Sequence, residues 1–415
     1  MVWFGPSQAV RKYGPEGRHD PWLLLAITGL VAFGVVMVAS SSIAVADGQH
    51  IGEFHYLRRH LAFLSAGGLG AVWIAWRVEL DKLEKYSGWL MLGTLCLLVL
   101  VFIPHIGMRV NGARRWINLG VSGFQPVELA KLTVVLYVAS YLVRHRDAVE
   151  TKFLGAVKPV GVAGLTAVLL LAQPDFGSAA LIGIVTIGML WLGGARMRNL
   201  VIMGLPMIPL GTWLALSTDY RVKRLTSFLD PWKDPFNNGF QLTQALIAVG
   251  RGKWLGVGLG GSVQKLFYLP EAHTDFILAV IAEELGFAGV LFVLALFALL
   301  VGRGLQLGLR GVEVGQHRAG YVAFGISLMI GLQALVSVGV NLGVLPTKGL
   351  TLPLISSGGS STLMTCVMLG VLLRAGYEIH RAEDARRMAT RRTDGATRHV
   401  GLEHPSAELP LAART

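Results

Sequence analysis

The stretch YLPEAHTDFILAVIAEELG, from Tyr268 to Gly286, begins as a polar loop and becomes an apolar helix. His273, Thr274 and Asp275 stand at the border, and Glu283 and Glu284 lie further in. The apolar run opened by Asp275 continues to residue 301, more than the roughly 20 residues that cross a bilayer. The border therefore reads as a point of entry into a membrane. A spanning segment must satisfy its own backbone, which selects the helix.

The rest of the chain has the same character. Its 415 residues are 53% hydrophobic and 15% charged, against about 25% charged in a soluble domain. Ten apolar stretches read as spans, at 22–44, 57–76, 87–104, 126–143, 157–172, 177–193, 199–217, 275–301, 319–341 and 360–376. The expected fold is an all-α, polytopic membrane protein. Its membrane domain covers 21–377, with a long loop at 218–274 between spans seven and eight. Residues 1–20 and 378–415 are polar and charged and read as flexible tails. The first span is too long for a signal-peptide core and lacks a small-residue cleavage site. No soluble catalytic domain is expected, so any chemistry is expected among the spans and their loops.

Lys and Arg orient such a chain. Arg11, Lys12 and Arg18, then Arg77, Lys82 and Lys85, then Arg144, Arg146, Lys152 and Lys158 fall on one side, with Arg196, Arg198, Arg303, Arg310 and Arg318. That side is read as cytoplasmic, which puts both termini inside and the loop 218–274 outside. The net charge of +12 is largely this topology signal, and nucleic acid is not an expected partner. Cys96 and Cys366 each lie inside a span without metal-ligand spacing. Both read as small core residues.

Three outside segments carry the polar motifs: Pro104 to Lys131, the long loop, and NLGVLPTKGLTLPLISSGGSS from Asn341 to Ser361. The last is too apolar for an ordinary loop and too broken by Pro and Gly for a plain helix. It is expected to fold back into the bundle. GVGLGG, Gly256 to Gly261, fits a dinucleotide fingerprint, but that reading needs a strand before and a helix after it. A turn permitting close backbone approach is the better reading.

Thr274 and Asp275 open an apolar run, so helix capping competes with a catalytic role for them. Glu283 and Glu284 are intramembrane carboxylates, either functional or paired with a buried cation. Glu128 and Lys131, one turn apart, can neutralise each other. Lys131 is expected to face the bundle and to meet Glu128, Asp275 or a ligand phosphate. Arg109, Arg114, Arg115, Arg221, Lys223 and Arg224 either meet lipid headgroups or bind substrate. Lys348, the one charge in the broken segment, suits a phosphate.

These segments resemble the SEDS family of bacterial cell-wall glycosyltransferases, and within it the septal branch. The stretches that carry the likeness are VNGARRWI, QPVELAK, QPDFGSA, GVGLGGSVQKLFYLPEAHTDFILAVIAEELG and LPTKGLTLPLISSGGSS, and it extends over residues 20–376. Val127 stands where the family often has Ser, and Ser357 where it usually has Tyr. The resemblance implies polymerisation of lipid II into glycan strands at the outer face of the inner membrane, at the division septum, with Asp275 as the catalytic carboxylate. It also implies work beside the transpeptidase FtsI under divisome regulators such as FtsQ, FtsL, FtsB and FtsN.

The chemistry needs a base for a sugar hydroxyl, positive charge for a departing pyrophosphate, and a cavity open to lipid. Asp275 is the expected base, with Lys348, Lys131, Glu128, Arg115, His273 and Ser360 around the substrate. The natural cavity lies between spans four, eight and ten. No cofactor is assigned. A divalent cation, magnesium or manganese, stays open, since one carboxylate beside a lysine is a poor dedicated cage. A lipid II flippase and a division scaffold without catalysis are the competing functions.

Overall fold

The computed structural model describes residues 17–400, apart from 49, 111, 119, 121–122, 217–221, 223–225, 238, 267 and 347–348. The first helices are α1 (Pro21–Gly48), α2 (His55–Arg77) and α3 (Leu80–Leu100). A small sheet follows: β1 (Gly107–Val110), β2 (Ala113–Asn118) and β3 (Gly123–Phe124), each antiparallel to the next. Then come α4 (Pro126–Arg144), the short α5 (Arg146–Thr151), α6 (Phe153–Ala172) and α7 (Phe176–Leu192). Two further short helices, α8 (Met197–Gly204) and α9 (Met207–Leu216), precede the long loop, which contains α10 (Phe240–Gly252). The chain closes with α11 (Ile277–Glu313), α12 (His317–Asn341) and α13 (Gly359–Val400).

Among the described residues, seven helices are long and apolar enough to cross a membrane: α1, α3, α4, α6, α11, α12 and α13. α7 is a shorter apolar helix. α2 carries Arg58, Arg59 and Arg77, and the stretch at 199–217 divides into α8 and α9. This is a multi-pass helical membrane protein with a sheet at one end that hydropathy did not reveal. α13 remains helical to Val400, through the start of the stretch expected to be a flexible tail. Cys366 is buried as expected, whereas Cys96 is exposed on α3, so it is not a core residue.

α4 and α12 form the centre, with most of their residues buried. α2 lies close along α13. A methyl group at Gly359, Gly67 or Gly370 would press into Phe63, Cys366 or the Ala71 backbone. Small residues permit such approach where lipid provides no hydrophobic drive. At the end opposite the sheet, Arg303 pairs with Asp20 just before α1, and Arg318 reaches Asp81 and Glu84 of α3.

α11 is not continuous. Gly286 breaks it with φ 67° and ψ −163°, a conformation that favours glycine. The loop after α10 fills the gap. Val257 and Gly258 N–H donate to the Glu283 and Glu284 carbonyls, each at 3.0 Å, while Phe287 and Ala288 N–H donate to Lys253 and Trp254 carbonyls at 2.9 and 3.1 Å. Backbone freed by the break within this apolar helix is thereby satisfied within the protein, as a membrane span requires. The close approach requires Gly256, because a side chain there would collide with the Glu284 carbonyl. GVGLGG is thus a contact turn, with no strand before it.

Candidate functional site

The site gathers where α4, α11 and α13 begin and α12 ends. Between α12 and α13 the chain folds back into the bundle. Leu350, Leu352, Leu354 and Ile355 are buried, and a methyl group on Gly34, midway along α1, would strike the Leu354 carbonyl. This is the re-entrant segment expected from its composition. Its end is tied to the HTD corner: Ser357 N–H donates to the His273 carbonyl at 2.9 Å, and Ser356 Oγ donates to the Thr274 carbonyl at 2.6 Å.

Asp275 is half-buried and lies against Gly349 of that segment. A methyl group on Gly349 would stand 3.1 Å from Asp275 Oδ2. The cap position of α11 is held by Phe276, whose side chain makes no capping bond. Cover for the helix start comes instead from α12, where Asn341 Oδ1 accepts from Ala279 N–H at 3.1 Å. Asn341 Nδ2 also donates to the Asp275 carbonyl at 2.9 Å. Thr274 Oγ1 turns back to Glu271, at 2.6 Å from its carboxylate.

His273 packs against Tyr56, with ring centroids 4.9 Å apart. Burial depresses the basicity of its imidazole, and Glu271 partly offsets this. Its Nδ1 is buried without a hydrogen-bond partner among the described residues. Ser360 Oγ accepts from Gln125 N–H at 3.3 Å and joins the starts of α13 and α4.

Glu128 and Lys131 form the ion pair their spacing allows, 2.8 Å long and buried. Lys131 does not reach Asp275. Its Nζ donates to Glu128 Oε1 and, at 3.0 Å, to Gln333 Oε1 of α12. Glu128 Oε2 is buried with no hydrogen-bond partner among the described residues. Arg115 is occupied by structure as well. It donates to the Gln173 carbonyl at 2.9 Å and the Pro174 carbonyl at 2.5 Å, fastening β2 to the turn between α6 and α7. Arg109 and Arg114 also donate to backbone carbonyls. Lys348, Arg221, Lys223 and Arg224 lie outside the described residues.

Glu283 and Glu284 are structural ties. Glu283 accepts from Arg251 (3.0 Å), Ser262 Oγ (2.5 Å) and the Val263 and Gln264 N–H groups (3.1 and 3.3 Å). Glu284 accepts from Lys265 Nζ at 2.6 Å and from Ser40 Oγ of α1 at 2.8 Å. Both glutamates hold the long loop against α11 and α1. Gln333, Asn341 and Lys265 were not singled out by sequence reasoning. Each carried a signal, as a lone amide in an apolar span or a lysine close to two intramembrane carboxylates. Among the described residues no group of three or more His, Cys, Asp or Glu is placed to hold a metal ion.

The chain is similar to known proteins over most of its length. Residues 21–381 match the FtsW/RodA/SpoVE family model, described as cell cycle protein. A Xanthomonas oryzae pv. oryzae protein named "Probable peptidoglycan glycosyltransferase FtsW" is 56% identical over 379 residues, covering 91% of this chain and 77% of that one. The protein of the same name from Coxiella burnetii is 48% identical over 360 residues, covering 87% and 96%. Among solved structures, one chain comes from work on the structural coordination of polymerization and crosslinking by a peptidoglycan synthase complex. It superposes with a TM-score of 0.71 at 30% identity, over 87% of this chain and 98% of its own. The rod shape determining protein RodA of Thermus thermophilus gives 0.63 at 27% identity, over 86% and 96%.

Proposed function

The chain belongs to the FtsW/RodA/SpoVE family of cell cycle proteins, and from that premise we propose that it is a peptidoglycan glycosyltransferase of the FtsW kind, polymerising lipid II with Asp275 as general base. The observation that carries the assignment of the base is the seat of Asp275 against Gly349. A carboxylate at the mouth of the bundle and the Gly349 backbone of the re-entrant segment form one wall. The position next to Gly349 is Lys348.

In the proposed reaction Asp275 accepts the proton of a sugar hydroxyl as its oxygen attacks the anomeric carbon of a lipid-linked donor. The bond from that carbon to the pyrophosphate breaks on the opposite face, so configuration inverts and polyprenyl pyrophosphate leaves with its electron pair. General-base assistance of this kind is worth about 10²–10⁴-fold. Lys348 is assigned to the pyrophosphate, since a compact ammonium suits phosphate. Lys131 and Arg115 are assigned to holding the walls, because each makes two hydrogen bonds to protein acceptors. No step is routed through a metal ion.

The Lys and Arg distribution supports cytoplasmic termini and an outward-facing site, and the ten apolar stretches of the sequence are the ground for proposing ten spans. The kinship with FtsW proteins supports action at the septum of the inner membrane. The peptidoglycan synthase complex named above supports a transpeptidase partner, and the kinship with FtsW proteins is the ground for proposing FtsI as that partner, with FtsQ, FtsL, FtsB and FtsN as regulators. A flippase would need its intramembrane charges along a path, whereas Glu283, Glu284 and Lys131 are each paired within the protein.

The test uses purified protein with its transpeptidase partner and lipid II in detergent, where there is no membrane to cross. Wild type is expected to make glycan strands. Asp275→Asn is expected to lose at least about 10²-fold in rate while still inserting and folding. Polymerisation by Asp275→Asn at the wild-type rate would remove Asp275 from the base role.

A further inference from the structure

We propose that Gln333, buried in α12, is a positioning residue: by joining Lys131 to the Thr351 carbonyl it sets the re-entrant wall against which Asp275 stands. This rests on Asp275 being the base.

Gln333 is 2% exposed and Lys131 0% exposed. The Gln333 amide has both ends engaged across three elements. Its Oε1 accepts from Lys131 Nζ at 3.0 Å, and its Nε2 donates to the Thr351 carbonyl at 2.9 Å. The amide orientation is dictated by charge, since an NH₂ group cannot accept from an ammonium. Glu128 Oε1, at 2.8 Å, holds that ammonium in turn. The three residues form a buried rod from α4 through α12 to the re-entrant segment. Thr351 lies two residues beyond Gly349, the residue beneath Asp275 Oδ2. Thr351 Oγ1 also meets Ser361 Oγ of α13 at 2.9 Å.

The same helix grips the other side of the corner. Asn341, two turns along α12 and on the Gln333 face through the i, i+4, i+8 spacing, donates to the Asp275 carbonyl at 2.9 Å and accepts from Ala279 N–H at 3.1 Å. One rigid element therefore fixes both the backbone that carries the base and the wall beneath its carboxylate, at points about 12 Å apart along the helix axis. Gln333 lies in the interior and acts through Thr351. This accounts for a lysine buried in α4: its charge locks an amide.

Gln333→Glu keeps the acceptor for Lys131 but replaces the N–H facing Thr351 with a second oxygen. Gln333→Met fills similar space with neither bond. Both are assayed on lipid II with the transpeptidase partner present, with thermal unfolding measured on the same samples and Asp275→Asn run alongside. A shift of about 1 Å at a reacting group can cost about 10²-fold. The expected result is a kcat lower by that order with KM for lipid II within about twofold, in whichever variant unfolds at the wild-type temperature. A folded variant with wild-type kcat overturns the inference, and so does one whose loss lies entirely in KM. An active Asp275→Asn overturns the base assignment instead, and the two failures are read from different samples.

Discussion

Lys265 Nζ lies 2.6 Å from Glu284 Oε1, with both side chains buried and Ser40 Oγ within 3.1 Å of the ammonium. The long loop is thereby bonded to α11 and α1 along their apolar lengths. Removing one partner leaves a buried charge uncompensated, at about 3–5 kcal/mol. Glu284→Leu alone is expected to lower the unfolding temperature in detergent sharply. The double change Lys265→Met with Glu284→Leu is expected to cost much less than the two single losses added together. Additive losses would show that the pair does not hold the loop.

Backbone contact across the break in α11 makes a separate demand. Gly256 has φ +77° and abuts the Glu284 carbonyl, whereas Gly112 has φ +81° and nothing within 4 Å of an added methyl group. Gly112→Ala is expected to cost only the left-handed backbone term, about 1–2 kcal/mol. Gly256→Ala adds a collision with backbone that cannot yield, and is expected to cost clearly more. Thermal unfolding of the two variants side by side checks the order.

His273 gives the fold a pH dependence of definite sign. Burial holds its basicity below the ordinary value of 6.5, so between the folded and unfolded pKa values the unfolded chain binds more protons. Stability then rises with pH across that window. The contribution is complete above about pH 6.5, the ordinary histidine value, and is lost as the pH falls below it. Unfolding temperature is expected to fall on acidification through this range, and to fall less in His273→Gln. An identical pH profile for the two proteins would exclude His273 as the cause.

Long apolar runs made the helices legible, and their composition made the re-entrant segment legible too. The strands at 107–124 escaped notice because they are short and alternate weakly. The corner residues of the proposed site were legible in the sequence, and the protein partners of its charged groups were less so. Lys131 meets Glu128 as their spacing allows, but the bonds of Lys131 to Gln333 and of Arg115 to the Gln173 and Pro174 carbonyls were not anticipated. The partners involved, Gln333, Gln173 and Pro174, are 202, 58 and 59 residues away in sequence, and local pattern carries no register across such distances.

From residues alone came the membrane class, the change from polar loop to apolar helix at Asp275, and the glycine turn made for close approach. These follow from local physics: apolar length, helix periodicity and backbone sterics. The protein partners of the charged groups came from packing. An ionisable side chain has the same identity whether it meets substrate or a buried amide. Which it meets depends on elements brought together from distant parts of the chain, as α12 brings Gln333 to Lys131 and Asn341 to Asp275.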